Sequence, residues 1–213
     1  MARLKENQLP LLLIGLVILN LTYPFSEQGV TQAIVFNVFY TVVLISAVLM
    51  VSTSPRRRII NGSVAAVNLI LGTLSFIWPQ YGLVWFMTVA VMQAIISYEL
   101  AVFIFTAKDV TRNVLFAGVA VYLMLGMTFV PVYNVLNTLM PGAIVMSTGG
   151  EVTWQRLLYF SFATLTTLGY GDVLPVAPQV QALAAMEAAL GVLYVAILMA
   201  RLAGLNQERR GVL

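Results

Sequence analysis

The sequence predicts an all-α membrane protein: six transmembrane helices, plus a short re-entrant helix and a glycine-bearing loop between the fifth and sixth. Three observations carry that prediction. Apolar residues make up 61% of the 213 and charged residues 9%. Apolar runs repeatedly reach the ~20 residues that cross a bilayer as a helix. If six helices alternate across the membrane, all but one of the eleven Lys and Arg residues fall on a single side.

The first run, Leu9 to Phe25, follows Arg3 and Lys5. It is near the short limit for a span, so it needs local bilayer thinning or a reach by flanking residues. A signal peptide has the same charge order, but Thr22-Tyr23-Pro24-Phe25 offers no small-x-small cleavage site, and the segment reads as a retained helix. Gln32 to Ser52 and Ile59 to Trp78 flank Arg56, Arg57 and Arg58, which set topology and suit contact with anionic lipid heads. Gly82 to Phe105 is the fourth run, with Glu99 its one charge. Lys108 and Arg112 precede the fifth, Asn113 to Leu136, and the sixth, Gln179 to Leu205, holds Arg201 with Arg209 and Arg210 beyond it.

This order makes both termini cytoplasmic, as expected of a multi-pass protein of an inner or plasma membrane, and leaves only Arg156 on the far side. Glu27, Glu151 and Asp172 fall on that far side and make it mildly attractive to cations. Cysteine and histidine are absent, which excludes disulfides, a thiolate nucleophile, a zinc cluster and His-based acid/base catalysis. An enzyme is not expected, nor a cofactor, nor a nucleic-acid partner.

Between the fifth and sixth runs the chain changes character. It passes Met140-Pro141-Gly142 and Gly149-Gly150, then Trp154 to Leu165, too short to span but sufficient for a half-helix. Residues 166 to 172 follow: Thr-Thr-Leu-Gly-Tyr-Gly-Asp. Consecutive carbonyls turn toward one axis only if the backbone alternates between right- and left-handed conformations, which β-carbons oppose and glycine permits. Gly169 and Gly171 occupy such positions. Thr167 can add its hydroxyl oxygen at one end, while Leu168 and Tyr170 point away from the axis and pack behind the loop. Non-helical backbone at membrane depth is tolerated where it lines a cavity or is buried in protein. The C-terminus of the half-helix near Thr166 carries partial negative charge and would favour a cation at that depth.

The 166–172 segment resembles the Thr-Val-Gly-Tyr-Gly selectivity filter of potassium channels, with Leu168 in place of Val. Across residues 111–213 the order of outer helix, short helix, filter and inner helix is similar to a potassium channel pore module. The stretch from Met186-Glu187-Ala188-Ala189-Leu190-Gly191 to Ala200-Arg201-Leu202 looks like the inner helix of bacterial six-helix channels. The resemblance implies K+ coordination by the carbonyls of Thr167, Leu168, Gly169, Tyr170 and Gly171, with the Thr167 hydroxyl, and no other cofactor. It assigns filter support to Thr166, Asp172, Tyr159 and Glu187. Where many relatives have two tryptophans bracing the filter, this chain has Tyr159 and Phe160, so the Tyr159 hydroxyl is expected to reach Asp172 while Phe160 contributes no bond. Gly191 lies where the inner helix often has a hinge, with close helix packing as the equal alternative. Val192, Val195 and Met199 are expected to line the cavity and inner gate.

One such loop cannot enclose an axis, so a homotetramer is implied. Residues 1–110 are then a four-helix transmembrane domain resembling a voltage-sensor bundle without gating charges, and residues 111–213 the pore. Voltage sensing needs repeated Arg or Lys in the fourth helix, each moved charge supplying about 2.3 kcal/mol per 100 mV, and none is present. The twelve residues after Arg201 are too few for a folded ligand-binding domain, so gating by such a domain requires an unidentified regulatory subunit. Membrane lipids are the other expected partners.

Glu99 and Glu187 are intramembrane acids, and such groups are functional candidates by default. For Glu99 a structural hydrogen bond to Asn68 or Gln93 is expected. Glu187, one helical turn before Gly191, is expected near filter depth but turned from the axis, bonded to Ser161 or Thr164. It is either a structural group or a point of proton-linked control. A nonselective cation channel and a silent or regulatory subunit are the alternative functions; a transporter lacks support because only the second half has a broken segment.

Overall fold

The structure is a computed structural model that describes residues 8–51 and 55–211. Arg3 and Lys5 lie outside the described residues. Seven α-helices follow in order: α1 Gln8–Thr22, α2 Val30–Val51, α3 Pro55–Ile77, α4 Gly82–Thr106, α5 Arg112–Leu139, α6 Trp154–Leu165 and α7 Pro178–Gly211. All but α6 are long and apolar enough to form or anchor a membrane span. With only 15 residues, α1 rises about 22 Å against a hydrocarbon core of ~30 Å. A 3₁₀ segment, Tyr23–Gln28, extends it.

Elements start where side chains can satisfy free backbone N–H groups. Thr111 caps α5 by accepting from the Val114 N–H, and Thr153 caps α6 by accepting from the Arg156 N–H. The five residues between α4 and α5 return the chain directly, and these two helices form the most extensive helix contact in the protein. α1 packs on both α2 and α5, and α6 lies against α5 and α7. A continuous apolar cluster joins Leu9, Leu16, Val43, Ile96, Met124, Tyr133 and Leu157 across these helices.

Two three-residue strands, β1 Ile144–Met146 and β2 Val173–Pro175, pair antiparallel with Val145 opposite Leu174. They close the 26 residues between them, 147–172, so that α6 and residues 166–172 sit on one tied-off segment. Sequence reading anticipated α6 at these bounds but not the strands, which are too short for an alternation signal.

Candidate functional site

The loop begins as the ending of α6. The N–H of Thr167 bonds the Thr164 carbonyl at 2.9 Å and the N–H of Leu168 bonds the Ala163 carbonyl at 2.8 Å. That pair of bonds is a Schellman motif, in which the residue after the cap takes a left-handed conformation. Here that residue is Thr167, φ 59°, the only non-glycine with positive φ among the described residues. Gly169 and Gly171 follow with φ of 53° and 77°, while Leu168 and Tyr170 between them remain at negative φ. Handedness thus alternates over five residues, the condition for successive carbonyls to face one side. A β-branched residue in this region is a strained exception, and such strain collects where function requires the shape.

Hydrogen bonds to protein take up the first part of the loop. Thr166 donates its hydroxyl to the Phe162 carbonyl at 2.6 Å, and the Gly169 N–H reaches the Ala163 carbonyl at 3.2 Å. The far end is tied to β1, where the Ser147 N–H donates to the Asp172 carbonyl at 2.9 Å. Asp172 Oδ1 accepts from the N–H of Val173 at 3.1 Å. The Tyr159 ring stacks on Tyr170 with centroids 6.2 Å apart and planes 12° from parallel. Its phenol is pushed up to about 12, first by desolvation and then by the neighbouring Asp172 carboxylate. Phe160 is buried edge-on against Tyr133. Within one chain Leu168 is 58% exposed and Tyr170 68%, so nothing of the chain itself covers Leu168 from behind.

Beneath the loop a polar cluster links three helices. Glu187 of α7, 0% exposed, accepts the hydroxyl of Ser161 from α6 and, at 2.5 Å, that of Tyr133 from α5. Ser161 also lies 2.6 Å from the Gly126 carbonyl. Thr164 has no part in this cluster, and Tyr133 is a partner the sequence did not indicate. Gly126 and Gly191 allow the helices to close on it: a β-carbon at Gly126 would stand 2.8 Å from the Phe162 ring, and one at Gly191 would overlap the Leu165 carbonyl oxygen. α7 runs through Gly191 without a break, so in this conformation the residue serves close packing. Beyond it Val192, Val195 and Met199 are 58%, 47% and 62% exposed in the single chain.

Further along α7, the Tyr194 hydroxyl donates to the Gly118 carbonyl at 2.6 Å. Arg201 donates to the carbonyls of Phe105 and Ala107, at 3.2 and 2.8 Å. A cation at the C-terminal end of α4 meets the negative pole of that helix, so Arg201 joins the sixth long helix to the link between the fourth and fifth. The sequence had offered it only as a marker of topology.

At the other end of α6, Thr153 donates to Glu27 at 3.0 Å and Gln155 to the Ser26 hydroxyl at 2.9 Å. Trp154 packs on Phe36 of α2, with centroids 5.2 Å apart, in keeping with a packing role. The expected Glu99 bond needs correction. Glu99 accepts from Asn61 at 3.3 Å, whereas Asn68 exchanges bonds with Thr88 and Gln93 bonds Tyr40. Asn61 and Asn68 both lie on α3 and Gln93 lies on α4 with Glu99 itself, so the packing of α3 on α4 decides which amide Glu99 meets.

Compared with known families, residues 110–208 match the family described as ion channel. The match supports an ion-channel function for a multi-pass membrane protein. It covers the loop, Tyr159, Glu187, Gly191 and Arg201, and leaves α1 to α4 outside. No curated protein and no solved structure matches the chain.

Proposed function

We propose that the protein is a potassium-selective channel, a homotetramer with both termini cytoplasmic, that conducts K+ passively and without voltage sensing. The observation that carries this reading is the alternation of hand at Thr167, Gly169 and Gly171 in a loop suspended from the C-terminus of a short helix. Four such loops around an axis would replace the hydration shell of K+ with carbonyl oxygens of Thr167, Leu168, Gly169 and Tyr170, and with the Thr167 hydroxyl at one end. In that arrangement α6 is re-entrant, its C-terminus favouring the ion. Neighbouring subunits cover Leu168, and α7 lines the inner cavity with Val192, Val195 and Met199. Residues 111–213 form the pore and 1–110 a surrounding helical domain.

Flux from liposomes of purified protein tests this. A potassium gradient should drive a flux that barium blocks, with little flux when sodium replaces potassium. Equal sodium flux would favour the nonselective alternative, for which the specific observation is Phe160, buried against Tyr133 with no donor to offer the loop. A monomeric particle in mild detergent would count against the assembly, and flux appearing only with a second subunit would make this chain a regulatory component. Flux against pH, compared between the natural chain and Glu187→Gln, decides whether the buried cluster takes part in control. Identical profiles leave it structural.

A further inference from the structure

Between the first four helices and α6 lies a cavity of about 290 Å³. Phe36 and Tyr40 of α2, Trp85 and Gln93 of α4, Pro131 of α5 and Trp154 of α6 are in its walls. We propose that this cavity is a binding site for a small amphiphile: an apolar molecule, on the scale of a medium-chain alcohol, that brings one hydrogen-bond donor.

Its lining selects apolar matter. Aromatic rings from three helices face one space, and rings present large apolar areas with little conformational freedom to lose on binding. Left empty, such a space deprives its lining of dispersion contacts. The volume is at the lower edge of the roughly 300–1,000 Å³ usual for small-molecule sites, which suits one ring or one short chain.

Gln93 supplies the polar requirement. It is 2% exposed, its Nε2 donates to the Tyr40 hydroxyl at 2.7 Å, and its Oε1 has no hydrogen-bond partner. A buried amide oxygen left unpaired is costly, and native structures rarely leave one so. Gln93 stands in the cavity wall, so a turn of its side-chain amide brings that oxygen to a hydroxyl carried in on an apolar body, whereas a hydrocarbon of the same size offers it nothing. The first four helices carry none of the charges that would sense voltage, yet they build most of this wall. The remainder is Met127, Val130 and Pro131 of α5 with Trp154 and Leu158 of α6, the twelve-residue helix whose opposite end begins the 166–172 loop. Occupancy would therefore be registered on the element that holds the loop.

The chemistry fits a free alcohol or a hydroxyl-bearing chain from the bilayer, and the test separates them. The full chain is placed in phosphatidylcholine vesicles and titrated with bromodecanol, whose bromine quenches tryptophan fluorescence on contact. Trp78→Phe leaves Trp85 and Trp154 as reporters in the cavity wall, and the double variant Trp85→Phe with Trp154→Phe leaves exposed Trp78 as the contrast. Saturable quenching of the first pair only is expected. Gln93→Leu should weaken bromodecanol by about three- to tenfold, the loss of one hydrogen bond, and leave bromodecane unchanged. Val89→Phe, which fills the cavity, should abolish both. Circular dichroism melting of each variant shows whether it folds; if Val89→Phe does not, the alcohol and alkane comparison in Gln93→Leu decides. In a second arm, monoacylglycerol with a brominated chain replaces the free alcohol. Saturable quenching there makes the bilayer the source, and its absence with bromodecanol bound makes the free amphiphile the ligand. Quenching that rises linearly and equally for both tryptophan sets, or an alcohol affinity untouched by Gln93→Leu, would overturn the site. The readout needs no ion flux, so the result stands or falls apart from conduction.

Discussion

Thr167 holds a conformation that most threonines avoid. Left-handed backbone costs an L-residue about 1–2 kcal/mol, and the Schellman bonds of α6 hold the residue there. Thr167→Gly is expected to raise the melting temperature while lowering the K+ to Na+ flux ratio, because glycine removes the strain together with the hydroxyl. A variant that melts higher and keeps its selectivity would show the hydroxyl to be dispensable. Tyr159 gives a pH prediction. With its phenol moved from the usual 10.0 to about 12, the folded chain keeps a proton that the unfolded chain loses. Its contribution to stability is therefore intact below pH 10 and falls away between about 10 and 12. Several tyrosines are buried, and among the late phases of an ultraviolet titration of tyrosinate one should be missing in Tyr159→Phe and should move to lower pH in Asp172→Asn. Were the late phase unaltered in Asp172→Asn, the carboxylate would have no part in it.

Two glycines in long helices separate packing from propensity. Gly191 on α7 meets the Leu165 carbonyl, which is backbone and cannot rotate away, so Gly191→Ala must displace α6 or α7. Overpacking of this kind costs about 1–3 kcal/mol. Gly62 on α3 has open space where a β-carbon would stand. Gly62→Ala should instead stabilise by about 0.4–1 kcal/mol through a less flexible unfolded chain. Thermal unfolding of both in one detergent checks the pair: opposite signs are expected, and a neutral Gly191→Ala would mean that α7 yields there, as a hinge does.

α7 carries a row of exposed apolar residues, Leu190, Val192, Leu193, Val195, Ile197 and Met199. Lipid or neighbouring subunits must cover it, in keeping with assembly around an axis. α1 is different, since Asn20 contacts Met127 of α5 at 3.7 Å and the short α4–α5 link holds the first helices against their own chain. The chain has no cysteine, so an introduced pair reports cleanly. Oxidised Asn20→Cys with Met127→Cys should run as a monomer on a denaturing gel, linked within one subunit. A ladder of dimers to tetramers would mean that α1 packs on a neighbour in the membrane.

The sequence by itself determined the helices, the short α6 and the glycine positions of the loop, because apolar run length and backbone handedness are local properties of the residues concerned. It also singled out Glu187 and one of its partners, Ser161, which an intramembrane acid beside a hydroxyl-bearing helix suggests. What it left open depends on how helices are rotated and how deep they sit. Tyr133 reaches Glu187 across 54 residues, Glu99 finds Asn61 rather than Asn68, and Arg201 closes on carbonyls of a helix end. Asn61 had a rival of the same type, Asn68, two turns along α3. The β1–β2 pair, the tie from Glu27 to α6 and the cavity beside Gln93 likewise exist only once helices far apart in sequence are packed. Hydropathy constrains whether a residue lies in the membrane, but not which neighbour it meets there, and in this protein only the tertiary structure decided that.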